Sequence, residues 1–141
     1  MRTKYVKKLP VVVVAVALLA FGCGSDDEES SPTSESPPVS LSGTVNDHGT
    51  ETAGDELAME LDDNYFGPTY VQAKANQSIK LELENEGANI HTFTSETFGV
   101  DEEVSPGEKK TVTITAPGQG SVEFHCRFHQ AGGMQGALFV R

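Results

Sequence analysis

The chain has no tryptophan, few basic residues beyond its first eight positions, and no apolar run long enough to cross a bilayer. Its 10 Lys and Arg stand against 21 Asp and Glu, and four of those 10 (Arg2, Lys4, Lys7 and Lys8) precede Cys23, whereas every Asp and Glu follows it. So acidic a chain lacks the basic face that neutralises phosphates, which excludes nucleic-acid binding. The two cysteines, Cys23 and Cys126, are too few for a disulfide-stapled fold, and Cys23 sits in a leader-like segment, so Cys126 needs another explanation. No segment keeps a helical period, which argues against a helical bundle. At 141 residues there is room for one compact domain of ordinary size.

The longest apolar run, residues 11–21, is too short to span a bilayer and follows the basic residues 1–8. A basic stretch, a short apolar stretch and small residues before a cleavage point form an export signal. The run ends Leu19-Ala20-Phe21-Gly22-Cys23, which resembles the lipobox of bacterial lipoproteins. The resemblance implies a signal peptide over 1–22, cleavage before Cys23 and lipidation of its thiol. It places the protein at the extracytoplasmic face of the cell membrane, since each buried methylene adds about 0.8 kcal/mol of membrane affinity. The plainer alternative is an ordinary secretory signal with an incidental cysteine.

Residues 23–55 shift to Ser, Pro, Thr, Glu, Asp and Gly, a composition that cannot offset its own conformational entropy. Pro32, Pro37 and Pro38, with the run Asp26-Asp27-Glu28-Glu29, predict a disordered, extended tether. His48 falls in it and reads as exposed and unpartnered. The folded domain is then expected over 56–141. There Ile79, Leu81 and Leu83 alternate with Lys80, Glu82 and Glu84, and Val112 and Ile114 alternate with Thr111 and Thr113. This is the period of two of a strand with one buried face. Further strands are predicted over 71–75, 90–95, 121–126 and 137–140, with a weaker one over 58–61. Asn85-Glu86-Gly87, Ser105-Pro106-Gly107 and Ala116-Pro117-Gly118 supply turns between them. Short strands at this spacing argue for an antiparallel β-sandwich or small barrel.

The chemistry concentrates near the C-terminus, where Cys126, His129 and Met134 bring a thiolate, an imidazole and a thioether together within nine residues as C-x2-H-x4-M. Sulfur ligands favour copper, and two His and one Cys with an axial Met describe a blue-copper site. A second His is required. His91 stands on a predicted strand 35 residues before Cys126, where a neighbouring strand can bring it alongside. Alternation puts Val122, Phe124 and Cys126 on one face and Glu123 and His125 on the other, which removes His125 as a ligand. The same reasoning puts His91 with Phe93 on the inner face. Singly, an inward Cys, a His beside Phe and a buried Met read as core residues. Together, in an exported chain where a free thiol invites oxidation, they read as a metal site. Zinc suits Cys and two His, but its fourth ligand is usually Cys, His or carboxylate rather than Met.

These residues resemble the cupredoxins, the small blue copper proteins, and most closely their plastocyanin-like branch. The ligand loop ending Gly133-Met134-Gln135-Gly136, the upstream His91 followed by Phe93, and Phe66-Gly67-Pro68 carry the likeness, which covers residues 65–140. The resemblance implies an all-β, Greek-key antiparallel β-sandwich with one type 1 copper held by His91, Cys126, His129 and Met134. It makes His129 the ligand nearest solvent, with Phe128, Ala131, Gly132 and Gly133 as an apolar docking surface. There are departures. Arg127-Phe128 replaces the usual Pro and adds a positive charge near that surface, His125 replaces an exposed aromatic, and Thr92 stands where Asn often supplies an outer hydrogen bond.

The expected function is one-electron transfer between redox proteins by a monomer that is not itself an enzyme. From Glu56 onward, 13 Asp and Glu against six Lys and Arg would steer it toward a basic partner such as a membrane cytochrome or oxidase. The alternative is extracytoplasmic copper delivery or buffering. Copper carriers often add Met or His clusters, and this chain has three Met and four scattered His. The acidic pair Glu102-Glu103 reads as solvated charge.

Overall fold

Alternating apolar residues build the strands, and the computed structural model describes them over residues 37–141. In chain order they are β1 (Thr50–Thr52), β2 (Glu56–Asp62), β3 (Tyr65–Gly67), β4 (Tyr70–Ala73), β5 (Ser78–Asn85), β6 (His91–Ser95), β7 (Val100–Val104), β8 (Lys109–Thr115), β9 (Ser121–His125) and β10 (Gln135–Val140). Between the last two lies a single 3-10 turn, Gln130–Gly132. One sheet runs β1-β4-β10-β9-β6-β7 and the other β3-β2-β5-β8. The all-β sandwich is as expected, but its sheets are mixed rather than wholly antiparallel. β2 lies parallel to β5, and β4 lies parallel to both β1 and β10. A period of two tells which face of a strand is buried and is silent about the direction of its neighbour, which the connections decide.

Leu57, Met59 and Leu61 of β2 and Ile79, Leu81 and Leu83 of β5 face inward against Val71, Phe93, Phe124 and Leu138 of the other sheet. Each such side chain contributes about 1.5–3 kcal/mol when fully buried. Phe66 on β3 joins the layers, because it meets Phe124 edge-on at 5.1 Å and Phe93 at 6.1 Å. Phe93 and Phe124 lead directly to the chemistry, each lying two residues from an expected ligand.

Ordered structure begins well before residue 56, so the expected tether is too long at its C-terminal end. β1 pairs with the edge of β4, Ala53 is buried and donates its N–H to the Gln72 carbonyl (2.8 Å), and Val39 and Leu41 pack against Tyr70, Ala137 and Phe139. His48 is exposed but not unpartnered: its ring stacks on Tyr65 at 3.5 Å, and its N–H donates to Thr69 Oγ1 (2.8 Å). Main-chain pairing to an existing sheet edge needs little apolar side chain, so composition does not reveal it. Alternation does not reveal β7, because its only apolar residues are the terminal Val100 and Val104. As an edge strand it tolerates the acidic residues between them. Glu102 is not simply solvated, since it pairs with Lys110 Nζ at 2.8 Å.

Phe66→Ala should cost about 3–5 kcal/mol, because it empties the contact between the two sheets. Urea unfolding of the metal-free domain measures this; a loss under about 1 kcal/mol would mean that Phe66 does not join the layers.

Candidate metal centre

β9 delivers Cys126 inward as alternation requires: Val122, Phe124 and Cys126 are buried while Glu123 is exposed and His125 half-buried. Beyond β9 the chain closes a tight loop on itself. The Cys126 N–H donates to the Met134 carbonyl (3.0 Å), and the Cys126 carbonyl accepts from the N–H groups of His129 (3.2 Å) and Gln130 (3.0 Å). The His129 carbonyl accepts from Gly132 (2.9 Å) and Met134 (3.2 Å). Gly133, at φ +103, makes the return, and a Cβ there would also strike the Asn46 side chain. β6 runs beside β9 and places the fully buried His91 against Cys126.

Three donor atoms converge as a result. His91 Nδ1 lies 3.1 Å from His129 Nδ1, and Cys126 Sγ lies 3.9 Å from the first and 3.5 Å from the second. Donors about 2.0–2.3 Å from one ion in a trigonal arrangement would be roughly 3.5–3.7 Å apart, so the observed triangle is of the right size. Two imidazole nitrogens 3.1 Å apart either share a proton or give their lone pairs to one cation. Burial pushes the His91 pKa down from its ordinary 6.5, with His129 acting in the same direction and Asp63 opposing it, which favours the neutral imidazole that can ligate. Met134 is completely buried at the end of the same loop. Thiolate, two imidazoles and a thioether fit a single type 1 copper site, and the thioether disfavours zinc.

The supports are polar and only partly legible beforehand. Thr92 takes over the outer hydrogen bonding: its N–H donates to Cys126 Sγ (3.4 Å) and its Oγ1 accepts from the Arg127 N–H (2.9 Å). Buried Asn85 donates to the carbonyls of Asn89 and Val104 (both 2.8 Å) and accepts from the Gly87 N–H (2.9 Å), fixing the loop that enters β6. Its turn chemistry was visible, but this bracing was not. Residues assigned to the tether clasp the ligand loop from outside. Asn46 Nδ2 donates to the carbonyls of Asn64 (2.7 Å) and Gly132 (2.9 Å), while Gln135 Nε2 donates to those of Ser42 (2.7 Å) and Thr44 (2.6 Å). No sequence signal marked either side chain.

Of the expected site residues, His91, Cys126 and His129 form the cluster, and Met134 lies buried at the end of the same loop. His125 stays outside the cluster, and Cys23 lies outside the described residues. His129 is the half-buried member of the three. Of the expected docking residues Phe128 (54%), Ala131 and Gly132 are exposed and Gly133 is buried, and the apolar surface beside His129 extends to Ile90 (44%) and Pro106. Arg127 adds no free positive charge, since its Nε pairs with Asp101 (2.8 Å) and its Nη2 lies 3.6 Å from Glu103.

Sequence comparison matches residues 13–140 to the cupredoxin-like domain, and the chain belongs to that family. No curated protein matches it significantly. Its fold is similar to a dithionite-reduced auracyanin from the photosynthetic bacterium Roseiflexus castenholzii (TM-score 0.54, 20% identity, 63% of this chain and 98% of that one). It is also similar to auracyanin B (TM-score 0.54, 18% identity, 70% of this chain and 96% of that one). A third similar structure is the metal-binding domain, with Cu(I), of a Cu(I)-exporting P-type ATPase from Streptococcus pneumoniae (TM-score 0.55, 15% identity, 67% and 97%). At these identities the likeness is one of fold.

Asn85→Leu strands the Gly87 N–H and two carbonyls, and should cost about 2–4 kcal/mol. Thermal or urea unfolding of the metal-free protein, with amide exchange across 86–91, measures it. Unchanged stability and exchange would remove Asn85 from the support of His91.

Proposed function

We propose that this protein carries single electrons between redox proteins through one copper held by His91, Cys126, His129 and Met134. The observation that carries the reading is the convergence of two imidazole nitrogens and a buried thiol within 3.9 Å, with one imidazole reaching toward solvent beside an apolar patch. Copper in such a set supplies one-electron chemistry between Cu(I) and Cu(II). The chain's part is to hold the donors still. Strand β6 and the hydrogen-bonded loop restrict their movement, and the Thr92 N–H to the sulfur withdraws charge from the thiolate, which raises the potential. His129, with Ile90, Pro106 and Phe128, gives a partner a short path and an apolar landing. The fold likeness to auracyanin favours a carrier over an enzyme.

The acidic surface suits a basic partner such as a membrane cytochrome or oxidase, with a transfer rate that falls as salt rises. The leader and the lipobox-like Leu19-Ala20-Phe21-Gly22-Cys23 support export and attachment to the outer face of the membrane through Cys23. Copper delivery or buffering is the competing account. It calls for release of the metal, whereas the buried thiol and doubly braced loop favour retention.

The soluble domain, cut so as to keep residues 37–141, should gain an intense absorption toward the red on adding Cu(II), lose it on reduction and regain it on reoxidation without losing metal. Cys126→Ser should abolish the band. Absence of the band in the unmutated protein would sink the electron-transfer reading, and loss of copper to a chelator at each reduction would favour delivery. Cys23→Ser in the full chain should move the protein from the membrane to the soluble fraction.

A further inference from the structure

His91 Nε2 is the one buried side-chain nitrogen or oxygen among the described residues that has no hydrogen-bond partner. It is not without a neighbour, because Asp63 Oδ1 lies 3.6 Å away, in the turn between β2 and β3. That carboxylate is held in place by the loop leading into His91, accepting from Asn89 Nδ2 (3.1 Å) and from the Ala88 N–H (3.3 Å). Gly87 makes the approach possible. A Cβ there would sit 2.9 Å from both His91 Nε2 and Asp63 Oδ1 and 3.1 Å from Asp62 Oδ1, so any side chain would fill the space the three atoms share.

We propose that Asp63 is a positioning residue for the copper site, whose negative charge keeps the His91 proton on Nε2, leaves Nδ1 free for the metal, and favours Cu(II) over Cu(I). The inference rests on the electron-transfer reading of the cluster. At 3.6 Å the contact is electrostatic rather than a hydrogen bond, and it does not need to shorten to act. A proton on Nε2 leaves a lone pair on Nδ1, the atom that faces Cys126 Sγ and His129 Nδ1. A carboxylate behind a metal-bound imidazole raises its basicity and stabilises the more positive ion. Solvent tempers the effect, because the Asp63 side chain is 50% exposed, but the ring it faces is dry.

The test compares Asp63→Asn with Glu96→Gln, which removes the same charge at an exposed position beyond the far end of β6. Asp63→Asn should shift the Cu(II)/Cu(I) balance roughly tenfold toward Cu(I), a rise in potential of about 59 mV, while Glu96→Gln should shift it far less. Asn89→Ala keeps the charge and loosens the carboxylate, so it should give an intermediate rise; it also serves if Asp63→Asn does not fold. In the metal-free protein, nitrogen NMR should find His91 as the Nε2–H tautomer, with Asp63→Asn admitting the other. A potential shift no larger than that of Glu96→Gln, or an unchanged tautomer balance, overturns the inference. If the unmutated protein never forms the thiolate-copper band, the electron-transfer reading fails instead, and the tautomer measurement still decides the role of Asp63.

Discussion

The hydrogen bond from the Cys126 N–H to the Met134 carbonyl ties β9 to β10 across the ligand loop, and the site depends on that closure. Without it the thiol, His129 and Met134 would sit on a flexible connection, and bringing them together would cost conformational entropy each time. With it the nine residues hold one shape, supported by five further main-chain bonds within the loop. His91 alone comes from elsewhere, and the β6–β9 pairing supplies it. A rigid donor set suits electron transfer, where movement between oxidation states adds to the barrier.

Building such a site at the end of a sandwich replaces apolar packing with buried polar groups. Asn85, His91, Thr92 and Gln135 are all buried, and each must find partners or destabilise the fold. Asn85 satisfies three backbone groups, Thr92 serves both the sulfur and the Arg127 amide, and Gln135 reaches the 42–44 segment. His91 Nε2 is the exception, and it faces a carboxylate. The aromatic contacts of Phe66, Phe93 and Phe124 form the apolar floor beneath this polar layer.

Charge follows the same division. Near the site Arg127 is drawn into a ring with Asp101 and Glu103, and Thr94 Oγ1 donates to the same Asp101 (2.8 Å). The apolar patch of Ile90, Pro106 and Phe128 is therefore left beside a locally neutralised cation, within a domain that is acidic overall. Exposed pairs such as Lys80–Glu56 and Lys109–Glu84 add little stability individually, so the acidic surface matters more for encounter with a partner than for folding.

Much of this was legible from residues alone, and the limits have a physical cause. Alternation in Ile79–Leu83 and Val122–Cys126 identified β5 and β9 and turned the thiol inward, because side-chain direction in a strand is local. The C-x2-H-x4-M spacing identified the loop because its ligands are also near in sequence. His91 was reachable through its strand and its inward face. Strand direction, the clasp of Asn46 and Gln135, the neutralised Arg127 and the Asp63 contact were not reachable in this way. Strand direction is set by the connections, and the polar contacts join residues far apart in the chain, such as Asp63 with Asn89 or Gln135 with Thr44, and leave no periodic trace. Chemistry carried by neighbouring residues was written in the chain, whereas the environment that tunes it was decided only when distant segments met.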